Sequence, residues 1–315
     1  MLRTRSGAVG AVALTFVLLL GACGGSDDDD GVAAGPSEAK GTCAKFKGTE
    51  ELTVGGTNFS EQEIVAELYA QCLKAAGYKV DTKLKLGARE VVQPALERGD
   101  IDILPEYVGT LLTYLNGSPT TDLTKTLADL KASLAPKRLT VLTPAPAEDK
   151  NGFAVTKATA DRLKLKKLSD LQPHAKDLVF GGGPECPERP LCLQGLEKTY
   201  DLKFKEVKRL DSGGPLTKDA LQKGDIQVGL IFTSDGAVPA RGFVVLEDDK
   251  KLQPVDNVVP VVRQDVVKGD VEPLLNSISA KLTTEGLSEL NKKVDVDKAD
   301  PSDVAEQWLK DNGFL

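Results

Sequence analysis

The stretch Ala95-Leu96-Glu97-Arg98-Gly99-Asp100-Ile101 is echoed 125 positions later by Ala220-Leu221-Gln222-Lys223-Gly224-Asp225-Ile226. Each copy reads as the end of a helix, a glycine stop and the start of an apolar strand. Each leads to a loop with an aromatic residue. The first loop is Pro105-Glu106-Tyr107-Val108-Gly109-Thr110, and the second is Phe232-Thr233-Ser234-Asp235-Gly236. Tyr107 and Phe232 keep the same offset. Two similar α/β lobes, each with a ring at the carboxyl end of a strand, predict a cleft with one aromatic on each wall.

Upstream of the first copy, Leu52 and Val54 read as a strand ended by Gly55-Gly56. Ser60 with Glu63 has the spacing of a capping box, and Ile64, Leu68 and Cys72 share one helical face. Gly77 stops that helix. Val80, Thr82, Leu84 and Leu86 alternate as a second strand, and a helix up to Gly99 leads into a strand over Ile101 to Leu104. Such alternation argues for a largely parallel sheet with covered faces. Beyond the second copy the chain turns apolar again at Val258, Val259, Val261 and Val262. Leu274, Leu275, Ile278 and Leu282 share a helical face, and Trp308 and Leu309 fall in a last helix. The expected organisation is a chain that crosses over and returns. Lobe 1 then comprises residues 43–150 plus 257–315, and lobe 2 residues 151–256.

The chain has 315 residues, 41% of them hydrophobic, enough for a sizeable core. Its net charge of −7 disfavours general binding to nucleic acid or anionic membranes. With 1 His, multi-histidine metal sites and histidine relays are disfavoured. There is neither a phosphate-binding P-loop nor a CxxC pair. Ser212-Gly213-Gly214 reads as a turn, since no base is placed to activate the serine.

Arg3 and Arg5 precede an apolar run from Ala8 to Leu20, too short for a membrane span and suited to a signal peptide over 1–22. The run ends Leu20-Gly21-Ala22-Cys23, which resembles a bacterial lipobox and implies a diacylglycerol on Cys23. The alternative is ordinary secretion with an incidental cysteine. Residues 23–42, with the run Asp27 to Asp30, read as a flexible tether. Cys23 committed to lipid leaves four cysteines in an oxidising compartment. Cys186 and Cys192 flank Pro187 and Pro190 as a short staple, and Cys43 and Cys72 pair by elimination. Free buried thiols are the alternative for the second pair.

Further motifs narrow the class. Gly55-Gly56-Thr57-Asn58-Phe59-Ser60-Glu61-Gln62 resembles the "SKNFTEQ" opening of substrate-binding subunits of ABC importers for quaternary-ammonium osmoprotectants. Gly99-Asp100-Ile101-Asp102 followed by Pro105-Glu106-Tyr107-Val108-Gly109-Thr110 is similar to that family's "GDID..PEYTGT". Arg189-Pro190 with Gly195-Leu196, Thr233-Ser234-Asp235-Gly236 and Leu246-Glu247-Asp248-Asp249 resemble its "RP..L.GL", "TTDG" and "LEDD". The resemblance covers roughly residues 50–314 in consistent order.

It implies a two-lobed α/β protein with the type II periplasmic-binding-protein fold and an interlobe ligand cleft. A trimethylammonium group donates no conventional hydrogen bond and is held by aromatic faces, whereas a carboxylate wants Arg, Lys or hydroxyl donors. By resemblance Tyr107 and Phe232 take cage positions, and Asn151 and Val255 stand at two others without supplying rings. Arg189 and Thr110 match the carboxylate grip, and Thr57 replaces its lysine. Asn58, Phe59, Thr233 and Asp235 complete the expected ligand-binding set. The implied role is that of a non-enzymatic, extracytoplasmic receptor needing no cofactor or metal. It would bind glycine betaine, choline or a related solute and deliver it to a permease with a cytoplasmic ATPase. Its only membrane attachment would be the lipid, and it would bind no nucleic acid. The alternative is a receptor of the same fold for a different small solute, since part of the cage is not retained.

Overall fold

The computed structural model describes residues 41–315. The signal peptide, Cys23 and all but the last two residues of the tether lie outside the described residues. Ten strands form two five-stranded sheets. In the first, β1 (Glu51–Gly55) pairs in parallel with β2 (Lys79–Lys83) and β3 (Ile103–Tyr107). The helix α1 (Ser60–Ala75) joins β1 to β2, and α2 (Arg89–Arg98) joins β2 to β3. After α3 (Val108–Tyr114) and α4 (Leu123–Leu134), β4 (Leu139–Val141) reaches the far edge of the same sheet.

The chain then leaves. β5 (Asn151–Thr156) opens the second sheet, where β6 (Val179–Gly182), β7 (Glu206–Arg209) and β8 (Val228–Phe232) pair in parallel and β9 (Phe243–Val245) forms an edge. α5 (Lys157–Leu163) follows β5, α6 (Leu193–Tyr200) joins β6 to β7, α7 (Pro215–Lys223) joins β7 to β8, and the short α8 (Ala237–Ala240) precedes β9. β10 (Val258–Arg263) returns to the first sheet, antiparallel between β3 and β4. The two orders, β2-β1-β3-β10-β4 and β7-β6-β8-β5-β9, are the same pattern twice. In each, the fourth strand is the one arriving from the other half. The last helices, α9 (Val271–Ser279), α10 (Thr284–Asp295) and α11 (Pro301–Asp311), close over α1, burying Leu274, Ile278, Leu290 and Leu309 with Ile64, Leu68 and Leu73.

The repeat signal therefore marks a structural repeat. Gly99 and Gly224 both cap their helices in the left-handed region, at φ +83° and +80°, where a side chain is penalised. Tyr107 and Phe232 are not loop residues as read from sequence. Each is the last residue of its strand, because antiparallel pairing extends that far: Tyr107 opposite Val258, Phe232 opposite Asn151. The capping box at Ser60 and Glu63 does not form. Phe59 occupies the N-cap, the Ser60 hydroxyl goes to Asp295, and Glu63 pairs with Lys85. Cys43 is bonded to Cys72 and Cys186 to Cys192, each with Cα atoms 5.2 Å apart.

Candidate functional site

Two segments connect the sheets, and they run side by side. Asp149 N donates to Asp256 O at 3.0 Å, Val258 N to Ala147 O at 2.9 Å, and Glu148 bridges Asn257. Their carboxylates hold the turns beyond the two rings. Asp256 accepts from the N–H groups of Gly109 and Thr110 at 2.8 and 3.0 Å, in the first turn of α3. Asp149 accepts from Ser234 N at 3.1 Å, two residues past Phe232 as Gly109 is two past Tyr107. The segment packs so closely that a Cβ at Gly109 would lie 2.3 Å from the Val255 carbonyl oxygen. Burial pushes the Asp256 carboxyl up to about 7, against its hydrogen bonds and the nearby Arg89 charge. Burial, with the neighbouring Glu61, also raises Asp149 well above the usual carboxylate range.

Between the lobes lies a cavity of about 310 Å³. Its wall is a row of three rings. Phe59, at the start of α1, stacks on Phe232 with centroids 5.2 Å apart and on Tyr107 at 6.4 Å, both within the range of favourable ring pairs. Tyr107 is held from behind, its hydroxyl donating to Glu61 at 2.5 Å. Tyr114, which helical spacing assigns to a packing face, adds a fourth ring to the lining at the end of α3.

The polar lining carries two guanidinium groups, Arg89 and Arg189, against Glu90, Glu106, Glu188, Asp149 and Asp256. Both cations are engaged. Arg89 grips Glu106 with two bonds of 2.7 Å and donates to Thr110 Oγ1 at 3.0 Å. Arg189, in lobe 2, reaches across the cleft to Glu90 of α2 at 2.9 Å instead of pairing with its neighbours Glu185 or Glu188. Thr57 and Gln62 line the cavity with buried oxygens that have no hydrogen-bond partner among the described residues. Such orphans are rare in native proteins and at a cavity wall point to a polar ligand group.

The structure thus brings Thr57, Asn58, Phe59, Tyr107, Thr110, Asn151, Arg189 and Phe232 to one cavity. Thr233 and Asp235 are outside its lining. Thr233 Oγ1 accepts from Lys150 N at 2.8 Å beside the crossing segments. Asp235 forms a buried ion pair with Lys218 at 2.6 Å and caps Ala237 N, in a second chamber of about 290 Å³ that shares Phe59 and Phe232 with the first. Asn151 supplies no ring, and its amide holds the Leu191 carbonyl at 3.0 Å. Val255 is also outside the lining. Sequence reasoning missed Arg89, Glu106, Gln62, Asp149 and Asp256. Their only signal was adjacency to motifs already singled out.

Two lobes joined by paired crossing strands, closing on a ring-walled cavity, define a solute-binding protein. The chain belongs to the family described as the substrate-binding domain of ABC-type glycine betaine transport systems, which matches residues 50–311. It is 30% identical over 281 residues to a glycine-betaine-binding protein of Pseudomonas aeruginosa, covering 84% of this chain and 89% of that one. It is 27% identical over 268 residues to a Helicobacter pylori protein named ergothioneine transport permease/ergothioneine binding protein EgtU, of which it spans 48%. A solved structure titled glycine betaine/carnitine/choline ABC transporter superposes with a TM-score of 0.68 at 26% identity, covering 85% of this chain and 99% of that one. These relatives are binding components of transporters, not enzymes. Substrate-binding proteins of ABC importers act outside the cytoplasm, in company with a permease. Among the described residues no helix is long and apolar enough to cross a membrane.

Proposed function

We propose that the chain binds a small quaternary-ammonium solute, glycine betaine, choline or a close relative, in this cavity. It then presents the solute to a permease driven by a cytoplasmic ATPase. The observation that carries this reading is the row Tyr107–Phe59–Phe232 in a cavity with more carboxyl groups than cations. Ring faces suit a diffuse cation that donates no hydrogen bonds to the protein. Arg189, Thr110 and Thr57 are placed to meet an anionic end where the solute has one. The family match favours this reading over a receptor for an unrelated solute.

Calorimetry of the 43–315 fragment against glycine betaine, choline and carnitine, with uncharged solutes as controls, tests it. Binding is expected for the quaternary compounds, and Phe232→Leu should weaken it by about 0.5–2 kcal/mol while nearly keeping apolar volume. Tight binding of an uncharged solute alone would remove the ligand assignment.

The lipid on Cys23 belongs to the same proposal and would tether the receptor beside its permease. Labelled fatty acid should enter the wild type, and equal labelling of Cys23→Ala would refute anchoring there.

A further inference from the structure

We propose that Glu61 is a positioning residue that couples the aromatic wall to lobe closure. This rests on the ligand reading above but not on the identity of the solute. Glu61 lies in the first turn of α1, 3% exposed, outside the lining of the 310 Å³ cavity. Three donors converge on its carboxylate. Tyr107 Oη reaches Oε1 at 2.5 Å, while Ser234 Oγ at 2.5 Å and Asn291 Nδ2 at 2.6 Å both reach Oε2. Among the described residues no lysine or arginine pairs with it. A carboxylate buried without a cation depends on its full set of donors.

The donors come from different bodies. Tyr107 is part of the ring wall on lobe 1, and Asn291 belongs to α10, a lobe 1 helix that packs on α1 and also touches α8 of lobe 2. Ser234 belongs to the β8–α8 loop of lobe 2. Tyr107 and Ser234 do not bond to each other, so the carboxylate is the link between them. Asn291 Nδ2 also reaches the Ser234 carbonyl at 3.1 Å and brackets that loop. Ser234 is tethered by its N–H to Asp149 of the crossing segment and shifts only slightly when the lobes part, but a displacement of about 1 Å takes its hydroxyl out of hydrogen-bond range, so Glu61 loses one of three donors while still holding the Tyr107 hydroxyl. The position of the ring and the position of lobe 2 therefore enter one balance.

This makes the Tyr107 hydroxyl matter even where only its ring face touches solute. It also assigns a role to Ser234 that a turn residue would not have.

A double-mutant cycle on the full exported protein decides the matter. Tyr107→Phe, Ser234→Ala and the double variant are titrated with choline and with glycine betaine. Each single change should weaken binding several-fold. The double should lose at least threefold less than the product of the singles, since either change already breaks the link. In a Glu61→Gln background that non-additivity should vanish. Effects that multiply within about twofold in the wild-type background, or a non-additivity that persists in Glu61→Gln, would overturn the proposal. The distance between labels at exposed Lys131 of α4 and Lys198 of α6 gives an independent readout. Without ligand, Ser234→Ala and Tyr107→Phe should each shift the lobes towards separation, and the double no further than the larger single shift. If no quaternary compound binds the wild type, the ligand reading fails. The label distances then decide the coupling alone, and unchanged distances would sink it.

Discussion

Arg89→Met should lower the unfolding free energy by about 3–5 kcal/mol, the largest effect expected of any single change in the cleft. The Arg89 and Glu106 side chains are 12% and 2% exposed. Removing the guanidinium strands a buried carboxylate that keeps only the Tyr107 N–H, at 3.0 Å, of its present partners. Urea unfolding should show the midpoint falling with little change in slope. The double variant Arg89→Met/Glu106→Gln should recover most of the loss, because a buried ion pair replaced on both sides leaves no uncompensated charge. A single variant that melts like the wild type would mean that solvent reaches Glu106.

Asp256→Asn should flatten the pH dependence of stability. In the native protein this carboxyl titrates at about 7, and its ordinary value is 3.8. Between those values the folded chain holds a proton that the unfolded chain has lost, so stability falls as pH rises. The contribution is fully present below about 4 and is lost by the time pH passes 7. The full swing is about 4 kcal/mol. Asparagine keeps an oxygen to accept from Gly109 and Thr110 and does not titrate. Unfolding free energies at pH 4.5 and pH 8 should therefore differ less in the variant than in the wild type, by about that amount. An identical difference in both proteins would show that Asp256 stays ionised throughout. Burial also pushes Glu61 and Asp149 upwards, so the variant should retain part of the slope.

The architecture was legible because it is written twice. The Leu–x–x–Gly–Asp turn at 96–100 and again at 221–225 fixes helix, stop and strand in each half, and the 125-residue offset carries the two rings to equivalent strand ends. The pairing that draws those rings into strands was not legible, since β5 and β10 arrive from the opposite lobe and leave no local mark. The ring row was half legible. Tyr107 and Phe232 stand out by repetition, but Phe59 joins them only because the turn after β1 sets it at the N-cap of α1. Tyr114 has in α3 the spacing of an ordinary packing face, yet the short helix ends at the cavity and brings its ring to the lining. The partner of Arg189 could not be read at all. Local sequence offers Glu185 and Glu188, and the carboxylate it finds lies 99 positions away on the other lobe. Polar contacts across a cleft have no periodicity to betray them.

The placement of the two rings beside the crossing strands has a kinetic consequence. In a rotation about those strands, displacement grows with distance from the axis. Tyr107 and Phe232 end strands that pair directly with the first residues of β10 and β5, so they move little as the lobes swing. Arg189 and Glu90, partly exposed and on different lobes, would travel further and meet at the end of the stroke. Arrival and departure of a solute are thereby governed by different residues. On the proposed reading, an incoming solute would find its wall already standing, which would govern the association rate, and the pair at the mouth would fasten behind it and govern how long it stays.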